Sequence, residues 1–378
     1  MQRCFPEENR CRSESRQGLC HCVRSGNGTF RTSRGNRVME DAVAIVPSNR
    51  KGGALGVVAL ASAALLVLSG CGSTASGEVK AGAAAASTEA APAATSALAA
   101  DEWVANPGDF KEAANWDSAK KPEITLGGGA INPSNLDLVA GEPYQISITN
   151  NDSVDLGVGM KDFFRSSAVR KTESGAEIKL ILFKEIFVKA GQTVELFLVP
   201  VMPGTYDMTG LAANGTPVDG MTGAVTVTGA VPTTPKPTIE KLSTVGEPEG
   251  AADMLAAAIP TWDATATAVT ITMGDTEEAH FFEPTDTALK VGVPATITFV
   301  NAGSTMHVYE MADFLKTAAL WQVTGTGGWS TGGLAKPADV EAGVTTSLSV
   351  IPTQAGTFEL TDSAPGMESM KATITVTE

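Results

Sequence analysis

Histidine is nearly absent from this chain: there are three in 378 residues, and only His280 and His307 lie beyond residue 70. So little imidazole leaves scant material for histidine-rich metal sites or for most histidine-based catalytic centres. Cysteine is scarce where a fold would use it. Cys4, Cys11, Cys20 and Cys22 fall in the first 22 residues and Cys71 stands alone after them, so no disulfide framework is available to the body. Basic charge is short as well. Beyond residue 70 there are 17 basic against 37 acidic side chains, and Arg165 and Arg170 are the only arginines. That balance opposes phosphate backbones, which excludes nucleic acid as a partner of the body. No HExxH signature occurs, and the two late histidines are far apart in sequence, so the expectation is that the protein is not an enzyme.

What is present begins with an uncharged run of 15 residues, Ala54 to Leu68, preceded by Arg50 and Lys51 and followed by Ser69-Gly70-Cys71. It is short for a transmembrane helix and has the basic, apolar and small-residue parts of a secretory signal. The ending LSGC resembles a bacterial lipobox, which implies lipidation of Cys71 and a mature chain anchored to the membrane without spanning it. Residues 1–45 are rich in Arg, Ser and Cys, and they place Glu40 and Asp41 ahead of the signal, so they read as a mis-assigned start. The Cys4, Cys11, Cys20, Cys22 and His21 group lacks paired CxxC spacing, which argues against zinc. The expected division is therefore a signal segment over 46–70 and an anchor with a flexible stalk over 71–122. A first domain follows over 123–229, a Pro/Ala-rich linker over 230–262 and a second domain over 263–378.

The two domains are copies. A shift of 151 residues lays Pro133 on Pro284, Gly141 on Gly292, Asn150 on Asn301, Met160 on Met311 and Asp162-Phe163 on Asp313-Phe314. At shifts of 152 and 149, PGTYDMT meets AGTFELT and MTGAVTVT meets MKATITVT, as small loop insertions between retained strands would produce. YQISITN, TVELFLV, ATITFVN and TSLSVIP alternate or run in β-branched residues between Gly, Pro, Asn and Asp, so these are strands. The expected fold is all-β: two tandem Greek-key β-sandwiches. Whether the two pack together or swing on the linker is open at this level.

The order of features in the second copy resembles the cupredoxins, the blue-copper family of plastocyanin and pseudoazurin. FFEPTDTALKVGVPATITFVNAGSTMHVYE looks like their stretch leading to a ligand histidine, and AGTFELTDSAPGMESMKATITV looks like their closing stretch. The resemblance implies copper, with the first ligand His on His307, the Cys on Asp362, the second His on Met367 and the Met on Met370. Without the thiolate at Asp362, plastocyanin-like electron transfer is not implied. One imidazole with thioethers suits Cu(I), giving His307, Met367 and Met370 as ligands. Met306 or Met311 is a further ligand in that reading, and Asp362 is an orienting or weak oxygen ligand. In the first copy the same positions hold Leu156, Gly210, Val218 and Met221, so that copy reads as structural.

The functional expectation is an exported, lipid-anchored protein storing, delivering or scavenging copper. The alternative is a metal-free envelope adaptor or adhesin that holds a protein partner through its loops. Trp329, in the Gly-rich stretch TGTGGWSTGG, is the expected partner contact on a mobile loop. That stretch lacks the GK[ST] ending of a phosphate loop. His280 reads as a surface residue, and Asp275, Glu277 and Glu278 as a solvated turn.

Overall fold

The computed structural model describes residues 98–378 apart from 277, 278 and 368. The signal segment, Cys71 and the N-terminal cysteine group lie outside the described residues. Among the described residues no helix is long and apolar enough to cross a membrane.

The first copy runs through β1 (Glu102–Val104), α1 (Pro107–Ala113), β2 (Glu123–Gly127), β3 (Ala130–Asn132), β4 (Asn135–Val139), β5 (Tyr144–Asn150) and β6 (Leu156–Gly159). It continues with α2 (Lys161–Arg165), β7 (Ser167–Ser174), β8 (Ala176–Ile178), β9 (Phe183–Val188), β10 (Thr193–Pro200), β11 (Gly204–Ala212) and β12 (Pro217–Thr228). After β13 (Ile239–Lys241), α3 (Ala251–Ala258) and α4 (Trp262–Thr265), the second copy repeats the order. It comprises β14 (Thr267–Asp275), β15 (His280–Glu283), β16 (Asp286–Lys290), β17 (Ala295–Asn301), β18 (His307–Glu310), α5 (Ala312–Leu315), β19 (Ala318–Thr324), β20 (Gly328–Gly332), β21 (Ala338–Val340), β22 (Thr345–Pro352), β23 (Gly356–Asp362) and β24 (Lys371–Thr377). The all-β class is as expected. Strands β5 and β17 bury every second residue, so YQISITN and ATITFVN each send one face into the core.

The two sandwiches do not swing. Two eleven-stranded sheets run through both copies, one in the order β16, β24, β23, β18, β21, β8, β7, β10, β5, β2, β3 and the other β15, β14, β17, β22, β19, β20, β9, β6, β11, β12, β4. The joins are β20 with β9 and β21 with β8. Because β8 corresponds to β20 and β9 to β21, each join is the other's counterpart, the pattern of a two-fold dimer written into one chain. Edge strands left with free N–H and C=O groups would invite association, and here each copy covers the other's edges.

Trp329 takes part in this seam and is not on a mobile loop, which corrects its expected role. It lies half-buried in β20 with its ring stacked on Phe187 of β9, centroids 4.9 Å apart and planes 6° from parallel. The partner it contacts is the first copy. The glycines around it have a steric reason: a Cβ on Gly328 would come within 2.1 Å of the Phe187 carbonyl oxygen, and one on Gly332 within 1.9 Å of that of Leu182. Only glycine lets the two backbones approach this closely.

Charge crosses the other join. Lys171 and Lys179 clasp the Glu177 carboxylate of β8, the Lys179 contact at 2.6 Å, and Lys179 also reaches Asp339 of β21 at 3.1 Å. Burial alone would push the Glu177 carboxyl up, but the two ammonium groups outweigh it and hold it down at about 2. Its contribution to stability is thus complete above its ordinary value near 4.5 and is lost as pH falls through about 2. Glu177→Gln is expected to cost about 2 kcal/mol at pH 7, with the gap to the parent narrowing as urea titrations are repeated toward pH 3. A gap that stays constant with pH would refute the assignment.

The stalk, expected to run to residue 122, stops earlier. Leu98, Val104 and Phe110 bury against Ala168, Val199, Val201 and Met202 in a satellite cluster. Arg165, itself buried, donates to the Asp162 carboxylate at 3.0 Å and to the backbone oxygens of Ala99 and Glu102, pinning this segment to the first copy. The region between the copies is also ordered by packing. β13 pairs with β1, and Trp262 lies against Trp321 with centroids 4.8 Å apart.

Candidate functional site: a buried histidine between two carboxylates

Both copies close the turn after their central strand in the same way. Asn301, fully buried at the end of β17, donates from Nδ2 to the carbonyls of Thr305 and Val340, both at 2.8 Å, and accepts from Gly303 N–H at 2.9 Å. Asn150 makes the matching bonds to Val154 and Val188 and from Asp152 N–H. A buried amide with its partners saturated fixes the path of the turn and so the first residue of the next strand.

In the second copy that residue is His307, with no exposed surface. Its Nδ1 lies 2.6 Å from Asp362 Oδ2, and Asp362 Oδ1 accepts from the backbone N–H groups of Val308 at 3.0 Å and Ala364 at 2.8 Å. A carboxylate accepts on both oxygens, so Nδ1–H is the donor to Asp362. That Nε2 is buried and makes no hydrogen bond. It faces Oδ1 of Asp275, 3.1 Å away, from the end of β14. The same Oδ1 meets Nδ1 of His280 at 2.7 Å, because the antiparallel register of β14 and β15 sets Asp275 opposite His280. Asp275 Oδ2 is turned away and held by Ser304 N–H at 2.8 Å, Thr305 N–H at 3.1 Å and both hydroxyls. Burial opposes ionisation of Asp275, yet the hydrogen bonds from His280, Ser304 and Thr305 outweigh it and keep its carboxyl well below the usual range. Gly303 makes room, since a Cβ there would stand 2.5 Å from Asp275 Oδ2.

The first copy lacks every member of this set. Strand register places Gly128, Gly129, Leu156 and Gly210 where the second copy has Asp275, His280, His307 and Asp362. A Cβ on Gly210 would collide with Met221 Cγ at 2.2 Å, so Met221 fills the space that Asp362 takes in the second copy.

The expected ligands are distributed unevenly. Met367 and Met370 are buried in the connection after β23. Met311, next to α5, is buried like Met160 at the equivalent place by α2, which makes it a core residue and corrects its assignment as a ligand. Met306 points outward with 36% of its surface exposed, so it does not join the buried set. Asp362 is the direct hydrogen-bond partner of His307. A metal bound by both His307 Nδ1 and Asp362 would need those atoms about 3 Å apart, since each bond is about 2.0–2.2 Å. At 2.6 Å they share a proton, and the soft-ligand arrangement does not fit on that edge of the ring. The other edge, at Nε2, faces Asp275 Oδ1 at 3.1 Å. Among the described residues no group of three or more His, Cys, Asp or Glu side chains is placed to hold a metal ion.

Asp275 and His280, expected in a solvated turn and on the surface, are the members that sequence reasoning missed. Asp275 keeps only 11% of its side-chain surface and His280 about a third. The available signal was the duplication itself, which aligns them with two consecutive glycines.

No protein-family model matches the chain, and no curated protein matches its sequence. Solved structures resemble it distantly. A Cu-containing nitrite reductase from Thermus scotoductus SA-01 has a TM-score of 0.26 at 13% identity, covering 69% of this chain and 62% of that one. A multicopper oxidase from Campylobacter jejuni, titled a metallo-oxidase, has a TM-score of 0.25 at 12% identity, covering 71% and 65%. A copper nitrite reductase from Nitrosomonas europaea scores 0.24 at 13% identity, covering 69% and 95%. The chain spans under two thirds of the length of the first two. These are copper proteins with cupredoxin-like β domains, and likeness at this level describes the fold alone. The expectation that the protein is not an enzyme is corrected by them: they are titled as reductases and an oxidase.

Proposed function

We propose that this is an exported protein, anchored through lipidated Cys71, that handles copper outside the cytoplasm at the end of its second sandwich. The observation that carries the reading is His307, a buried imidazole whose Nδ1–H is fixed by Asp362 and whose Nε2 has no hydrogen bond. A carboxylate behind an imidazole is the usual way a ligand histidine is oriented, and it raises the basicity of the free nitrogen. The residues fit copper through that nitrogen and not through the edge that Asp362 occupies. When bound, the ion supplies soft or borderline Lewis acidity, and the chain supplies a site of set geometry and an acidic surface that attracts cations. The membrane partner follows from Cys71 and the stalk, and an envelope protein that exchanges copper is the expected second partner.

The test is a competitive titration of the chain from Gly72 onward with Cu(I) and with Cu(II), each against a chelator of the matching oxidation state, beside His307→Ala. One equivalent bound by the parent and lost by the variant is expected. No binding above the chelator baseline, or binding that His307→Ala leaves unchanged, would overturn the reading. It would favour instead a metal-free envelope adaptor, for which the closed His307–Asp362 pair is the supporting observation.

A further inference from the structure

The outer face of the seam carries a small cavity built from both copies. Register sets Trp329 opposite Phe187 and Thr331 opposite Glu185 where β20 meets β9, so these four side chains share one face of the sheet. The Phe187 ring crosses Gly157 of β6, where a Cβ would stand 2.4 Å from it, and Trp329 stacks on that ring. A second indole comes from β19. Trp321 is the extra residue of a bulge between Leu320 and Gln322, which re-aims its side chain, and Trp262 backs its ring at a centroid distance of 4.8 Å. With Ile259 and the β11–β12 hairpin tip at 213–215, these groups line a cavity of about 190 Å³.

The charge in this cavity is not balanced. Glu185 is half-buried, and its carboxylate accepts one hydrogen bond, from the Thr331 hydroxyl at 2.9 Å. Its neighbour Lys184 turns to Glu247, 3.8 Å away, and among the described residues no Lys, Arg or His pairs with Glu185. The other join shows the contrast. There a shift of 152 residues puts Glu177 at the place of Trp329 and Asp339 at that of Phe187, and Lys171 and Lys179 compensate those carboxylates. A carboxylate withdrawn from water calls for a cation, and the faces of indole rings attract one as well.

We infer that this cavity binds a small organic cation of the alkylammonium class, its charge toward Glu185 and its methyl groups against Trp321 and Trp329. A methylated ammonium suits both kinds of wall, since it offers apolar surface to the rings and positive charge to the rings and the carboxylate together. The volume lies below the roughly 300–1,000 Å³ of drug-sized sites, which limits the ligand to a few carbon atoms around the nitrogen. None of the residues of the copper reading takes part. Because the walls come from both sides of the seam, a bound ion ties β9 to β20 and stabilises the folded chain by mass action.

The experiment titrates the chain from Gly72 onward with choline and with tetramethylammonium by calorimetry, beside dimethylbutanol, the neutral carbon isostere of choline, and vesicles of phosphatidylcholine. One equivalent of each cation is expected to bind, with an unfolding temperature that rises as ligand is added. The neutral isostere should bind at least about 5-fold more weakly. Glu185→Gln keeps the shape and the acceptor for Thr331, and it should weaken the cations about 5- to 10-fold while leaving the isostere unchanged. Trp321→Leu should weaken them at least as much, and thermal unfolding without ligand checks that both variants fold. Vesicle binding that choline competes away would identify a lipid headgroup as the source of the cation, and choline binding without vesicle binding a free ion. No cation bound up to about 10 mM, or choline and its isostere binding alike with no response to Glu185→Gln, would overturn the inference.

Discussion

Asp362→Ala is expected to destabilise the second sandwich by about 4 kcal/mol, because three donors lose their acceptor at once: His307 Nδ1 and the N–H groups of Val308 and Ala364. The first copy shows how such a position is made harmless. There Gly210 has no side chain, Leu156 stands for the histidine, and Met221 closes the space. His307→Leu combined with Asp362→Ala should therefore recover at least about 2 kcal/mol relative to the sum of the two single changes. Denaturant unfolding of the four proteins in the cycle measures this. Additive losses would mean that the pair is not a coupled unit.

The second large effect falls on the seam. Gly332→Val is expected to cost about 3 kcal/mol or more, since the new Cβ would meet a backbone oxygen, Leu182 O, and backbone cannot give way as a side chain can. The strain can be relieved only by parting β20 from β9, which leaves two open edges and two sandwiches that unfold separately. Calorimetry should then show two transitions in place of one, with amide exchange accelerated over Phe183–Val188. A single transition at an unchanged temperature would show that the join tolerates the clash and is not built on close approach.

Much of the fold was legible because its causes are local. Alternation in ATITFVN marks a strand with one buried face, and Asn150 and Asn301 match because each closes the same turn. The seam was not legible, since glycine has no side chain to announce a partner: TGTGGWSTGG reads as a loop until β9 is seen lying against it. The end of the stalk was misjudged for a related reason. Leu98 and Phe110 are isolated apolar residues in a polar stretch, and only Arg165 and the surface formed by Val199 and Val201 give them something to bury against.

At the candidate site the division is sharper. His307 and Asp362 were singled out from the resemblance, but as a copper ligand and the residue at the position of the blue-copper cysteine. At 2.6 Å they are a hydrogen-bonded pair. Asp275 and His280 were dismissed because one sat in an acidic run and the other, just ahead of an apolar patch in EEAHFFEP, read as a surface residue. The sequence alone determined the duplication, the all-β class, the acidic body and which copy bears polar groups at the sandwich end, since each depends on residue type and short spacing. Tertiary structure alone decided that the two copies share continuous sheets and that Asp275, brought to the end of β14 by register with β17, faces a histidine 32 residues away. Such contacts depend on where strands end in space, and that is set by the packing of the whole core.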